Sequence, residues 1–283
     1  MMFRMFRAAL IVIGAFIVGS CVTPAADRTT EMPASTAPPV VDTPRAGDDR
    51  VTASGFAETS LWDLRPTGGS PIFLGAANRL RDREEEREAA LLHAAEQASR
   101  YVRIAATYRY VARRDNTGIG YLEDIEADWD ASLADSLAAS GDVIEVYRDE
   151  EGTVVLARFP DLPPAPDLAG LAVSSPRSEE PPWTAAPPEI PGFLAAVGSS
   201  LRSRRVRESV DNADQEALKG ILLQAGTTLR TIDDRRSVEG SGTTSAVTSA
   251  QEASAILRQF VVVARFISGD GRYYYSLAIA REE

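Results

Sequence analysis

Apolar residues along the chain recur at two spacings, and the wider spacing marks two helices. Alanine-rich stripes with three- and four-residue steps cover residues 91–105 and 206–225, which is the repeat of a helix with one buried face. Short apolar runs at 71–76 and 193–197 predict a strand before each helix. The glutamates at 84–86 favour the start of the first helix, because negative charge stabilises a helix N-terminus.

The remaining pattern predicts hairpins, a strand, a further helix and a loop. Runs of β-forming residues flank glycine-containing turns in 143–157 and 260–280, which predicts two hairpins. Alternating apolar residues at 106–110 predict a strand. Apolar residues at helical spacing in 122–137 indicate a second, acidic amphipathic helix. The polar stretch at 237–249 is interpreted as a long loop.

The order of strand, helix and hairpin occurs twice, which suggests an internal duplication. Three pairs of small residues align at a shift of 123 positions: Gly75 with Gly198, Ala90 with Ala213, and Ala94 with Ala217. The predicted fold class is therefore α+β, with two tandem strand–helix–strand–strand units, each a small antiparallel sheet covered by an Ala-rich helix. A single mixed α+β domain is the alternative.

The N-terminus has the pattern of a secretory signal. Arg4 and Arg7 precede an uninterrupted apolar run, Ala8–Val18, and the small residues Gly19 and Ser20 follow it. The run has 11 residues, about half of the ~20 that a membrane-spanning helix needs. A retained transmembrane anchor is therefore disfavoured.

The stretch Val18-Gly19-Ser20-Cys21 resembles the lipobox of bacterial lipoproteins, in which an aliphatic residue and two small residues precede a cysteine. The resemblance implies cleavage after Ser20 and attachment of a diacylglycerol to Cys21, which then becomes the mature N-terminus. Two or more acyl chains anchor a protein stably in a membrane. The alternative is an ordinary signal peptide in which Cys21 is incidental.

Composition limits the classes of partner and of site. The 283 residues include a single cysteine, Cys21, so the mature domains are expected to lack disulfides and thiolate metal sites. Arg4 and Arg7 are the only charged residues among 1–20, and their removal leaves 28 basic against 41 acidic residues. So acidic a protein is a poor candidate for nucleic-acid binding, where lysine and arginine contact the phosphates.

Proline content divides the chain into segments. Residues 21–54 contain several prolines and few large apolar residues, and they are interpreted as a disordered tether behind a signal peptide at 1–20. More than half of the 17 prolines lie in a second such stretch, a Pro-rich linker at 160–189. The predicted folded domains are therefore 55–159 and 190–283.

No residue pattern identifies catalytic, cofactor or metal chemistry, so the sequence predicts no enzyme, no cofactor and no metal site. His93 is the only histidine, whereas a zinc site needs three or four ligands; it is expected to be a half-exposed helix residue. The acidic residues at 124–130 lack the spacing of a calcium-binding loop. Like the glutamates at 84–86, they are interpreted as solvated helix faces. The glycines at 240–242 lack the lysine of a phosphate-binding loop.

Three consecutive tyrosines begin the last predicted strand. Tyr273 and Tyr275 share one face of that strand and Tyr274 takes the other, because side chains alternate along a strand. One face must pack on the helix. The other is either a cross-strand packing surface or a partner interface that includes Tyr274.

Several of these elements together resemble the LPP20 family of bacterial lipoproteins. They are the strand that ends in glycine, the Ala-rich helix, and the final strand with Leu156-Ala157 in one half and Leu277-Ala278 in the other. The resemblance covers most of 70–159 and 190–281, and the helix predicted around Trp129 departs from the family pattern. It implies an envelope lipoprotein, in some members linked to flagellar or outer-membrane structures, and it implies no catalytic residues.

The sequence thus predicts a lipid-anchored bacterial envelope protein with a non-enzymatic structural, scaffolding or binding role in outer-membrane or flagellar assembly. Its expected partners are the membrane, through the lipid on Cys21, and other envelope proteins. Val22 follows Cys21, which resembles the sorting pattern for the outer membrane, and the periplasmic face is favoured over the cell surface. Two alternatives stay open: a small-ligand-binding lipoprotein, and a cell-wall hydrolase with an unidentified acidic pair.

Overall fold

The computed structural model of the chain describes residues 51–52, 61–66, 69–115, 118–173, 180–226, 228–237 and 243–283. These residues belong to one compact unit. Within them the chain forms three helices and two sheets whose strands are mostly antiparallel. The predicted α+β class is therefore confirmed. The predicted signal peptide, Cys21 and most of the tether at 21–54 lie outside the described residues.

The helices are α1 (Arg83–Val102), α2 (Ala131–Ser140) and α3 (Val206–Ala225). The strands, in chain order, are β1 (Val51–Thr52), β2 (Leu61–Asp63), β3 (Phe73–Asn78), β4 (Ile104–Asp115), β5 (Gly118–Asp128), β6 (Asp142–Arg148), β7 (Gly152–Arg158), β8 (Leu194–Leu201), β9 (Thr228–Ser237), β10 (Thr243–Ile267) and β11 (Tyr273–Glu282). The strands expected before the two Ala-rich stripes are therefore present as β3 and β8. α3 has the predicted bounds, whereas α1 ends at Val102, before the end of the stripe predicted over 91–105.

The first sheet has the strand order β1-β6-β7-β3. β1 runs parallel to β6, and the other neighbours are antiparallel. α1 covers this sheet. Asp82 caps its start, since the Asp82 carboxylate accepts hydrogen bonds from the backbone N–H groups of Glu84 and Glu85. The alanines of α1 that face the sheet are fully buried, so the helix lies close against the strands.

The second sheet has the order β5-β4-β10-β11-β8, and β2 and β9 also pair with β10. β10 is 25 residues long and therefore takes part in two sets of pairs. Its N-terminal half lies between β4 and β9, and its C-terminal half lies between β11 and β2. α3 packs on β8 and β11. This sheet is larger than the small sheet predicted for the second half, because it takes strands from both halves of the chain.

Two sets of elements follow the same order within these sheets. β3, α1, β6 and β7 have the spatial strand order β6-β7-β3, and β8, α3, β10 and β11 have the order β10-β11-β8. In both sets a glycine marks the crossing of strand and helix. A Cβ atom on Gly75 would overlap the carbonyl oxygen of Ala90, and one on Gly198 would overlap the carbonyl oxygen of Ala213. Only glycine leaves room at these crossings.

Two predicted elements are wrong. The helix expected over 122–137 begins only at Ala131, and residues 118–128 form β5. β5 pairs with β4 along its whole length, and this ladder of backbone hydrogen bonds outweighs the helical spacing of the apolar residues. The loop expected over 237–249 contains the start of β10 at Thr243, where β9 and β4 supply backbone partners. Residues 238–242 of that loop lie outside the described ranges.

The Pro-rich segment predicted as a linker packs onto the core where it is described. Leu168, Val173 and Trp183 are buried in the apolar cluster that includes the alanines of α1. The Trp183 indole N–H donates to the carbonyl oxygen of Val173 at 2.9 Å, and the Tyr101 hydroxyl donates to the carbonyl oxygen of Pro163 at 3.2 Å. This segment therefore covers apolar surface of the fold.

Candidate functional site

An open groove of about 630 Å³ lies on one face of the second sheet. Thr107, Ser254 and Ile256 form part of its lining. These residues alternate along β4 and β10 with Ala106, Ala253 and Leu257, which are buried in the apolar cluster beneath α3. The groove is therefore on the sheet face opposite α3, where no described helix covers the strands.

The rim of this groove is acidic. Four carboxylates line it: Glu126, Asp128, Glu282 and Glu283. Two of them are neutralised by arginines, Glu126 by Arg109 at 3.2 Å and Glu283 by Arg258 at 2.6 Å. The hydrogen bond from Arg258 holds the pKa of Glu283 below its usual value. The other two carboxylates form no ion pair with any residue that the structure describes, so the rim keeps negative charge.

Exposed apolar side chains lie near the N-terminal end of β5, away from the groove. Ile119, Tyr121 and Leu122 are 67%, 74% and 68% exposed. These three residues belong to β5, the strand that contributes Glu126 and Asp128 to the groove. Ile119 and Tyr121 lie on one face of the strand and Leu122 lies on the other. Apolar surface exposed to this extent is typical of an interaction site. We call β5 with its exposed tip and the adjoining acidic rim the β5 surface.

Contacts with the helices fix the position of β5. Lys219 of α3 forms an ion pair with Glu123 of β5 and lies 5.4 Å from the ring centre of Tyr108. Just after the C-terminal end of β5, the Arg100 guanidinium of α1 stacks over the Trp129 ring at 4.0 Å. β5 is therefore held against the helices at its middle and at its C-terminal end, and its N-terminal end is exposed.

A separate polar cluster is buried where α1, α3 and the second sheet meet. Arg265 forms two hydrogen bonds with Asp214, at 2.6 and 2.8 Å, and both side chains are 2% exposed. The Ser276 hydroxyl donates to Asp214 at 2.7 Å, and Gln97 donates to the same carboxylate at 3.3 Å. Because these groups are buried and bonded to one another, the cluster stabilises packing and presents no reactive atom to a substrate.

His93 is part of the same region and is fully buried, so the half-exposed position expected from the sequence is wrong. Its Nδ1 lies 3.0 Å from the backbone nitrogen and 3.2 Å from the carbonyl oxygen of Ala76. Its Nε2 lies 2.9 Å from a carboxylate oxygen of Asp211. Ala76 belongs to β3, an edge strand of the first sheet. His93 thus satisfies a backbone group that has no neighbouring strand.

Asp211 makes the fold sensitive to acid. Burial opposes its charge, but the hydrogen bond from His93 and the charges of Arg207 and Arg100 outweigh burial, so the pKa of Asp211 is below its usual value. A carboxylate with a depressed pKa stabilises the folded state above the unfolded-state pKa of about 3.9, and this contribution is lost as pH falls through the folded-state value.

We expect Asp211→Asn to lower the free energy of unfolding by about 1–3 kcal/mol at pH 7, because a charged hydrogen-bond partner is lost. The difference from wild type should shrink toward pH 3, where the wild-type carboxylate is also losing its charge. Urea denaturation at several pH values measures both quantities. Asp124→Asn is the matched control, since Asp124 is exposed and forms no ion pair with a described residue. A deficit that is constant with pH would contradict the role of the Asp211 charge.

The other acidic candidates divide into buried and exposed groups. Glu86 is fully buried and accepts hydrogen bonds from the Thr153 hydroxyl at 2.6 Å and the Leu80 backbone N–H at 2.9 Å. Its expected place on a solvated face is therefore wrong. The acidic residues at 124–128 are exposed as expected, but on strand β5 and not on a helix. Asp130 caps the start of α2.

The tyrosine run alternates as predicted, but the buried face is that of Tyr274. Tyr274 is 1% exposed and lies in an apolar cluster with Trp62 and Val210. Tyr273 is exposed, and Tyr275 is half-buried. A partner interface that includes Tyr274 is therefore excluded, and the packing interpretation is confirmed for this residue.

Cys21 and Ser20 lie outside the described residues, so their lipidation and cleavage stay predictions. Across the described ranges, no group of three or more His, Cys, Asp or Glu residues is placed to hold a metal ion. None of the described helices is long and apolar enough to span a bilayer. The chain matches no protein-family model, no curated protein and no solved structure.

Proposed function

We propose that this chain is a lipid-anchored bacterial envelope protein with a non-enzymatic scaffolding or binding role, acting in outer-membrane or flagellar assembly. The observation that carries the binding role is the β5 surface, where three large apolar side chains are each about two-thirds exposed or more beside an acidic groove. The lipobox-like stretch that ends at Cys21 supports the anchor.

The proposal includes a tandem pair of LPP20-like units. Support comes from the repeated strand order of the two sets of elements and from the matching glycine crossings at Gly75 and Gly198. In both sets a pair of long strands intervenes between the helix and the following strand: β4 with β5 in the first, and β9 with the N-terminal half of β10 in the second. Each unit therefore contributes two strands beyond its strand–helix–strand–strand frame.

Lipidation is tested by metabolic labelling of the full-length protein with palmitate. Cys21→Ala is expected to abolish incorporation, because the thiol that carries the diacylglycerol is removed. Ser20→Ala is the matched control and should keep full incorporation, since a small residue still precedes the cysteine. Cell fractionation of the labelled protein is expected to recover it with outer membranes.

Unchanged labelling of Cys21→Ala would contradict the anchor. Recovery of the wild-type protein only with inner membranes would contradict the predicted outer-membrane location. Neither result depends on the β5 surface, so anchoring and partner binding are tested separately.

A further inference from the structure

Among the described strands, only β4 pairs with β5, so one edge of β5 has no described partner strand. The pairing with β4 covers the eleven positions from Gly118 to Asp128. An open strand edge of this length presents a row of backbone donors and acceptors to an incoming strand. Which residues of β5 supply these groups follows from the register of the sheet.

One hydrogen bond on the β11 side of β10 shows in which direction the backbone groups of each β10 residue point. The backbone N–H of Glu283 donates to the carbonyl oxygen of Ile256 at 2.9 Å, so the backbone groups of Ile256 face β11. Backbone groups alternate in direction along a strand, so those of Ala255 face β4. Ala255 is opposite Ala106, which therefore bonds to β10, while its neighbour Thr107 bonds to β5.

The same alternation carries through to β5. Thr107 is opposite Glu126, so the backbone of Glu126 bonds to β4 and that of Ile125 points outward. Tyr121 and Glu123, at two-residue steps from Ile125, also point their N–H and C=O groups away from β4. No register shift interrupts the pairs between β4, β5 and β10. The outward groups therefore form a regular ladder ready for a further strand.

The side chains of β5 set the chemistry of that strand. Asp124, Glu126 and Asp128 share one face and are exposed, and only Glu126 among them has a basic partner among the described residues. On the other face, Tyr121 is exposed and Ile125 packs on the apolar cluster beneath α3. β5 contains four acidic residues and no basic residue. An added strand is therefore matched when basic side chains alternate with apolar ones.

We infer that β5 binds an extended segment of a partner protein, with alternating basic and apolar residues, as an additional strand of the second sheet. A second copy of β5 fits poorly, because antiparallel pairing along the whole strand would place Glu123 directly opposite Glu123, and like charges in that position are destabilising. This inference rests on the proposed binding role and is independent of the lipid anchor. Its test uses binding of a peptide, whereas the anchor is tested by palmitate labelling.

The test uses the full-length protein in detergent and a synthetic nine-residue peptide of alternating lysine and valine. We expect this peptide to bind and a glutamate–valine peptide of equal length not to bind. Two further lysine–valine peptides carry N-methyl groups, one at every lysine and the other at every valine. Because N-methylation removes the backbone donors of one peptide edge, one of these two peptides should lose affinity by about tenfold or more, while the other keeps it.

Two variants of Tyr121 distinguish the contribution of its backbone N–H to peptide binding from that of its side chain. Tyr121→Pro removes an outward N–H without removing a bond to β4, so the affinity for the lysine–valine peptide should fall by about tenfold. Tyr121→Ala keeps the N–H and should lose much less. Asp124→Asn with Asp128→Asn should weaken binding and reduce its salt dependence. Melting temperatures of all variants check that the hairpin is intact, and the N-methylated peptides test the pairing without altering the protein.

Three results would overturn the inference. Equal binding of the glutamate–valine peptide would exclude charge recognition by β5. Equal affinity of the two N-methylated peptides, both unchanged, would exclude strand pairing. An oligomer of the protein alone that Tyr121→Pro dissociates would show that a second copy, and not a basic segment, occupies this edge.

Discussion

Replacing Asp214 by alanine is expected to lower the free energy of unfolding by about 3–5 kcal/mol. The substitution leaves the buried Arg265 guanidinium without the carboxylate that accepts two of its hydrogen bonds. An unpaired charge in the interior is costly, because the protein cannot replace the water that the charge has lost. The Ser276 hydroxyl loses the same acceptor. Urea denaturation followed by circular dichroism measures the change.

Two further variants test whether the loss of stability comes from leaving a buried charge unpaired or from breaking an ion pair alone. Glu208→Ala breaks the exposed pair between Arg205 and Glu208, which has a similar distance of 2.6 Å, and should leave stability nearly unchanged, because solvent screens an exposed pair. The double variant Asp214→Leu with Arg265→Met removes both buried charges and should recover most of the loss. A deficit in Asp214→Ala as small as that of Glu208→Ala would show that the pair is not buried in solution.

Alanine at Gly75 or at Gly198 is expected to destabilise the fold by about 3 kcal/mol or more at each position, since overpacking against backbone cannot be relieved by a rotamer change. The added Cβ would overlap the carbonyl oxygens of Ala90 and Ala213, respectively. Relief requires each helix to move away from its strand, and this movement separates the buried alanines of α1 or α3 from the sheet. Thermal and urea denaturation of both variants measures the effect.

Gly120 provides the matched control for both crossings. It also lies in a strand, but a Cβ added there meets no atom within 4 Å. Gly120→Ala should therefore leave stability unchanged or raise it by about 0.5–1 kcal/mol, because alanine loses less backbone freedom on folding. If Gly75→Ala and Gly198→Ala behave like Gly120→Ala, the helices do not cross their strands as closely as the structure has them.

The elements that the sequence predicts well depend on local periodicity. The Ala-rich stripe in 206–225 coincides with α3, and the predicted hairpins correspond to β6 with β7 and β10 with β11. A strand or helix of this kind can be found from residues a few positions apart. β5 was mispredicted because its apolar residues recur at helical spacing, whereas its strand conformation depends on pairing with β4. The start of β10 was mispredicted because its partners are β9 and, from Val247 onward, β4. The pair between Ala253 and Tyr108, for example, joins residues far apart in the chain.

The candidate site was predictable only in part. The acidic character of 124–128 is visible in the sequence, whereas its place on an open strand edge follows from the order β5-β4-β10. The pair of Arg265 and Asp214 was missed, although a signal was present. Arg265 interrupts the apolar run Phe260–Phe266, and a charge within a buried strand requires a partner. The sequence does not say which acid provides it.

The sequence by itself determined the export and lipidation pattern that ends at Cys21 as a prediction, the α+β class, and the positions of α1 and α3. Each depends on neighbouring residues. The tertiary structure alone decided that His93 is buried against β3, that Asp214 pairs with Arg265, and that no described strand pairs with the outer edge of β5. These features join groups distant in the chain, such as Gln97 and Asp214. Local spacing has no information about them, because only packing of the sheets and helices brings such groups into contact.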